Sequence, residues 1–175
     1  MHPNITLPTI GLFGTCGKSA WRAPFVEKYT AEGIPFFNPQ LPPGTWKPEC
    51  AVDEARHLAE DEILLFPITS ETYAVGSLAE TGFSILNAIK LDDRRFFIGL
   101  IHDTLDEELM QDADRAKESL RARALVKEHL RKLRFPNIYL VETFDEMLAV
   151  SQEVWECACT LKGLQAHNPH NLRRK

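Results

Sequence analysis

Two stretches of this chain carry residue types able to do chemistry. The first is Gly11-Leu-Phe-Gly14-Thr15-Cys16-Gly17-Lys18-Ser19, with Trp21 and Arg22 one turn further on. The second is Glu71-Thr-Tyr73-Ala-Val-Gly76-Ser77-Leu-Ala-Glu80-Thr-Gly82. A carboxylate in the first turn of a helix, where Glu80 is expected, is held ionised by free amides and the positive end of the helix dipole. That is the state a nucleophile requires. The residue also has a purely structural reading, because Ser77-Leu-Ala-Glu80 has the S-x-x-E spacing of a capping box. Spacing by itself favours the cap.

The glycine run invites comparison with a phosphate-wrapping loop, since Gly17-Lys18-Ser19 follows a strand-like segment. Its spacing disagrees. Such a loop needs four residues between its glycines, whereas Gly11 to Gly17 leaves five and Gly14 to Gly17 leaves two. The third strand also ends in Pro67-Ile-Thr instead of an aspartate able to hold magnesium. A phosphotransferase therefore ranks last. A glycine turn at a helix start still points amides at a ligand, which makes Gly14, Thr15, Cys16, Lys18 and Ser19 candidate contacts for an anion or hydroxyl. Equally, Gly14 and Gly17 serve a tight turn and Ser19 a helix cap. Trp21 walls the pocket in one reading and joins the core in the other.

The elements that must position these residues follow from apolar patterning. Short apolar runs ending in Gly, Pro or Asn predict strands over 8–14, 34–38, 62–68, 95–102 and 137–142. Near-continuous apolarity suits a parallel sheet covered on both faces. Helices are expected over 19–32, 49–60, 78–90, 107–133 and 144–162, so ligands belong beyond the carboxyl ends of the strands. The candidate loops are 14–19, 38–48, 68–77 and 102–106.

A chain of 175 residues with this hydrophobic and charged balance suits one globular α/β domain, expected over 1–163, with a polar basic tail over 164–175. No segment resembles a signal peptide or a transmembrane span, which leads to the expectation of a cytoplasmic protein without a membrane partner. A net charge of -5 argues against a nucleic-acid surface. Cys157 and Cys159 are one residue short of a metal-binding pair and point about 200° apart on a helix, so no metal is expected.

The order of GLFGTCGKSAWR, FFNPQ, DEILLFPI and GSLAETG along residues 8–150 resembles the nucleoside 2-deoxyribosyltransferase family, in particular its nucleoside 2-deoxyribosyltransferase-like branch. The resemblance implies a flavodoxin-like, doubly wound, five-stranded parallel sheet. It also implies a catalytic glutamate in the G-x-x-x-E-x-G turn, here Glu80, and no cofactor. By the same resemblance Glu80 attacks C1′ of the sugar, the base departs through an oxocarbenium-like transition state, and a second base or water resolves the glycosyl ester.

The leaving base needs a proton or hydrogen-bond donor, and Asp53, which stands where the family carries a base-contacting aspartate, is the catalytic candidate, although Asp53, His57 and Asp61 also read as an ordinary i, i+4, i+8 helix face. Asn38 and Gln40 match a base-recognising turn, which as Asn-Pro-Gln is also ordinary loop chemistry. Tyr73 and Glu71 are candidates to close over the sugar, and Gly76 and Ser77 to contact it. Relatives also hydrolyse nucleoside monophosphates, for which Lys18, Ser19 or Ser77 would suit the 5′-phosphate. One position departs from the pattern: Ala74 stands six residues before Glu80, where the family's transferases hold an aspartate. The resemblance finally implies a homo-oligomer, for which the helix at 107–133 offers a surface. A non-catalytic nucleotide sensor is the runner-up function.

Overall fold

Sequence dictates a sheet whose middle is dry. In the computed structural model, which describes residues 6–17, 19–42, 45, 47–92, 94–165 and 167, the central strands β3 (Ile63–Ile68) and β4 (Phe96–Ile101) are buried along their whole length. β1 (Ile10–Leu12) pairs with β2 (Phe36–Phe37) on one side and with β3 on the other. β4 pairs with β3 and with β5 (Ile138–Val141), and every pairing is parallel. The order is β2-β1-β3-β4-β5. This is the flavodoxin-like doubly wound sheet, a single α/β domain, as the sequence predicts.

Helices close both faces. On one, α1 (Arg22–Glu32) and α6 (Phe144–Gln165) bring Phe25, Tyr29, Met147 and Val154 against Ile10, Leu65 and Ile98. On the other, α3 (Val75–Lys90) and α5 (Ala113–Lys132) bring Ala88 and Leu130 against Phe13, Phe66 and Phe97. Each fully buried Phe, Leu or Ile contributes about 1.5–3 kcal/mol from removal of apolar surface. α2 (Pro48–Glu60) is different: none of its residues is fully buried, and it rests on the sheet edge through Leu58 and through His57, whose ring stacks on Phe37 at 3.7 Å.

A proline inside a central strand normally removes a ladder hydrogen bond. Pro67 escapes that cost because β1 has already ended beside it. Its carbonyl accepts from Thr15 N at 2.8 Å, so this edge of the strand faces the turn after β1 and not a continuing ladder.

Several helix boundaries differ from expectation. α1 begins at Arg22 instead of 19, because residues 19–21 are spent on the turn: Ser19 Oγ donates to Glu71 and Trp21 Nε1 to Thr15 O. α3 begins at Val75 instead of 78. The single helix expected over 107–133 is divided into α4 (Glu107–Met110) and α5, since Asp112 caps α5 by accepting from Arg115 N. α6 runs through Gln165, two residues past the expected end of the domain. Residues 166 and 168–175 of the expected tail lie outside the described residues.

Ala74, the residue before α3, has φ 54 and ψ 30, and is the one non-glycine among the described residues with positive φ. That conformation costs an alanine about 1–2 kcal/mol. Ala74→Gly would relieve it but would lose a buried methyl worth about 0.8 kcal/mol and increase the freedom of the unfolded chain. The two effects oppose each other, so the expected change in a urea midpoint corresponds to less than about 1 kcal/mol in either direction. Ala74→Val keeps no such balance, because a β-branched residue is strongly disfavoured at positive φ.

Candidate active site

β1 and β3 lie side by side, but the chain leaves them in opposite directions, β1 toward β2 and β3 toward β4. The carboxyl ends of such a pair form the crevice where open α/β sheets bind ligands. Here the crevice is a cleft of about 370 Å³ lined by Gly14, Cys16, Gly17, Glu54, Thr72, Ala74, Val75, Gly76, Ser77 and Glu80. That volume lies within the usual range for small-molecule sites.

Glu80 is the sixth residue of α3 and therefore stands in its second turn, not its first. The capping-box reading is overturned. Ser77 is the third helical residue, Ala74 occupies the cap position, and no side chain caps the helix. Among the described residues no hydrogen bond or ion pair engages the Glu80 carboxylate. Burial raises its pKa, and the charge of Glu54 raises it further.

Glu54 is the residue that sequence reasoning missed. Asp53, chosen in its place, lies about 100° around α2 from Glu54; its side chain is 70% exposed and leans on Arg56 at 3.5 Å. The signal was present, since Cys50, Glu54, His57, Leu58 and Asp61 follow at helical spacing and form the less exposed face of α2. The acid-base spacing of Asp53, His57 and Asp61 drew attention one residue away. His57 and Asp61 do bond, Nδ1 to Oδ1 at 2.8 Å, and fasten the end of α2. Asp53 and Asn38 border a smaller hollow of about 100 Å³ beside the cleft, and Glu54 borders both spaces.

Burial also raises the pKa of Glu54, while Arg22 opposes that rise. Both carboxyls therefore keep a proton to higher pH than a solvated carboxylate does, Glu80 in part because of the charge of Glu54. Glu54→Gln removes the like charge, so the titration of Glu80 is expected to move down toward its ordinary value. Carboxyl ¹³C NMR reads that shift directly, and an unchanged titration would mean that the two groups do not sense each other.

The turn after β1 is held from below. Arg22 is 1% exposed, and its guanidinium donates to the carbonyls of Leu12 (2.9 Å), Thr15 (2.7 Å) and Phe13 (3.3 Å), with Cys16 Sγ at 3.4 Å. Thr15 is fully buried, and its hydroxyl accepts from Thr69 N at 2.9 Å, so it shapes the turn without lining the cleft. Trp21 packs in the core against Phe25 and Phe144 and does not wall the cleft. Ser19 neither caps α1 nor faces the cleft, because its hydroxyl is committed to Glu71 at 3.1 Å. Lys18 lies outside the described residues.

Gln40 is exposed; its backbone N–H donates to Asn38 Oδ1 (3.0 Å) and its Nε2 donates to Gly17 O (3.4 Å), so it bridges the second loop to the glycine turn. Tyr73 donates to Leu109 O at 2.8 Å and borders a separate groove between α3 and α5, away from Glu80. The expected loop at 102–106 contributes nothing to the cleft. Among the described residues, no group of three His, Cys, Asp or Glu side chains could hold a metal ion. No helix among them is long and apolar enough to cross a membrane.

No family model and no curated protein matches the chain. Among solved structures, a conserved protein from Enterococcus faecalis V583 is similar, with a TM-score of 0.51 and 15% identity over 85% of this chain and 99% of that one. At that identity the likeness speaks for the fold alone.

Proposed function

We propose that this chain breaks or transfers the N-glycosidic bond of a nucleoside, deoxynucleoside or nucleoside monophosphate through a glycosyl ester on Glu80. The observation that carries the reading is a carboxylate with no bond among the described residues, facing an open cleft at the strand switch point with a second carboxylate beside it. The half-buried Glu80 carboxylate lines the cleft and is not tied to its own helix, so it is available to a ligand bound there.

In the proposed reaction a Glu80 oxygen forms a bond to C1′ as the C1′–N bond breaks, and the electron pair of that bond leaves with the base. Glu54 supplies the proton that the departing base needs. Water or a second base then attacks C1′ from the opposite face, losing its proton to the now ionised Glu54, the electron pair of the Glu80–C1′ bond returns to the Glu80 carboxylate, and the sugar retains its configuration. The hollow beside Glu54, bordered by Asn38 and Asp53, supports placing the base there with the sugar toward Gly76 and Ser77. Under the same reading a second copy of the chain packs on the exposed Val75, Phe83 and Leu86 of α3, next to the cleft, which sedimentation velocity would test.

Incubation of the purified chain with a panel of nucleosides and nucleoside monophosphates, followed by chromatography of the free base, tests the proposal. Base is expected to appear without added metal or cofactor. Nucleotide binding with no base release from any member of the panel would replace the reading with that of a sensor.

A further inference from the structure

The cleft has a second buried arginine behind it. Arg123, on α5, is fully buried, and its guanidinium donates to Ile68 O (3.2 Å), His102 O (3.3 Å), Thr69 O (2.9 Å) and Thr72 O (2.6 Å), while Nε reaches Ser119 Oγ at 3.2 Å. Ser119 Oγ in turn donates to Tyr73 O at 3.0 Å. Four carbonyls of the segment from Ile68 to Tyr73 are thereby tied to one side chain or to its serine neighbour. This segment ends at Ala74, in the left-handed region, where α3 begins and where Leu78 N closes the first turn on Ala74 O at 2.8 Å.

A strained residue persists only where its surroundings fix it more tightly than it needs. Here the fixing is visible: Thr72 O and Tyr73 O are both held immediately before Ala74, and the Ala74 amide donates to Thr72 Oγ1 at 3.1 Å. Thr72, Ala74 and Glu80 all line the cleft. The planar fork of arginine matches such a set of carbonyls; a lysine ammonium reaches fewer of them, and from one point.

We propose that Arg123, with Ser119, is a positioning residue that imposes the Ala74 conformation and thereby sets where α3 starts and where Glu80 points in the cleft. As a statement about catalysis this rests on the function proposed above; as a statement about the carboxylate it does not. Loosening the clasp lets the segment from Ile68 to Ala74 relax, α3 unwinds or shifts at its start, and Glu80 loses its partly dry setting opposite Glu54.

The test uses the full chain with Arg123→Lys, and with Ser119→Ala as a milder variant that keeps the guanidinium in place. Two readouts are followed: the ¹³C titration of the Glu80 carboxyl, and kcat and KM for base release. The expected result is that Glu80 titrates lower in both variants, toward the ordinary carboxylate range, more so in Arg123→Lys. Misplaced reacting groups cost about tenfold to a hundredfold in kcat, with a smaller change in KM.

A lower melting temperature with the wild-type Glu80 titration, and wild-type kcat per folded molecule, would reduce Arg123 to a packing residue and overturn the inference. If Arg123→Lys does not fold, the titration of Ser119→Ala decides alone, an unmoved carboxyl overturning the inference. Should the wild-type chain release no base, the functional reading fails while the titration still decides the positioning role.

Discussion

Glu80→Gln is expected to suppress release of free base by at least about 10³-fold, as loss of a covalent nucleophile does in other enzymes, while leaving the fold intact or slightly more stable. The two halves have one cause. An ionised carboxylate that is half-buried, has no bonded partner among the described residues and faces Glu54 is costly to the folded state, and glutamine of nearly the same shape removes that cost. The sign follows from linkage. The folded pKa of Glu80 is raised above its unfolded value, so the proton it binds favours the folded state at low pH, and this contribution disappears as pH rises through the folded pKa.

Glu80→Gln should therefore melt about 1–3 °C higher than the parent at neutral pH, a modest figure because the group is partly hydrated. The difference should vanish below pH 4. Differential scanning calorimetry across pH measures it. A lower melting temperature at neutral pH would mean that the carboxylate holds the helix after all. Normal base release by the same variant would remove Glu80 from the chemistry.

The expectation for Ser77→Ala separates this account from the capping one. A true cap loses about 0.5–2 kcal/mol when truncated to alanine. Ser77 is the third residue of α3 and its side chain caps nothing, so its removal should leave the melting temperature near that of the parent.

The sheet was legible because parallel strands buried on both faces leave a plain mark, near-continuous apolar runs such as ILLFPI and FFIGLI. The doubly wound, parallel arrangement followed from the alternation of such runs with helical segments and from the handedness of crossovers, whereas the strand order β2-β1-β3-β4-β5 is a finding of the structure. Helix starts were less legible, since they depend on bonds across the molecule. Nothing local announces that Ser19 is drawn off to Glu71, 52 residues away, or that Ala74 adopts positive φ. Glu54 escaped notice for a related reason. Its neighbour Asp53 has the more conspicuous i,i+4 partner, and only the rotation of α2 on the sheet decides which of two adjacent acids meets the cleft. The buried arginines were invisible as well, because an arginine at helical spacing is ordinarily a solvated charge. What buries Arg22 and Arg123 is the set of outward-turned carbonyls at the strand ends, a property of topology and not of any one motif.

Gly14→Ala is the substitution expected to cost the fold most. Gly14 has φ 86, which alanine adopts only with strain. Strain of that kind is about 1–2 kcal/mol, and Gly17, with φ 76, shares it; around Gly17, however, an added Cβ would meet only a Thr72 methyl at 3.9 Å. At Gly14 the same Cβ would lie 2.9 Å from Pro67 N and Cδ and closer still to Pro67 O. Backbone cannot yield there as a flexible side chain would. The turn must lift from β3, breaking the bonds from Thr15 N to Pro67 O and from Thr69 N to Thr15 Oγ1, which join the two loops of the cleft. Strain plus two buried hydrogen bonds amounts to about 3–5 kcal/mol. Since each kcal/mol is worth about 2–4 °C in a chain of this size, a fall of roughly 6–20 °C is expected. Gly76→Ala and Gly82→Ala set the opposite limit: both sit in α3 with nothing within 4 Å of the added methyl, and alanine there should stabilise by up to about 1 kcal/mol. Urea unfolding of the four variants would rank them Gly14→Ala, Gly17→Ala, then the two helical substitutions. A Gly14→Ala midpoint equal to that of the parent would show that the turn after β1 does not press against Pro67, and the cleft would lose the wall on which Cys16 and Gly17 are placed.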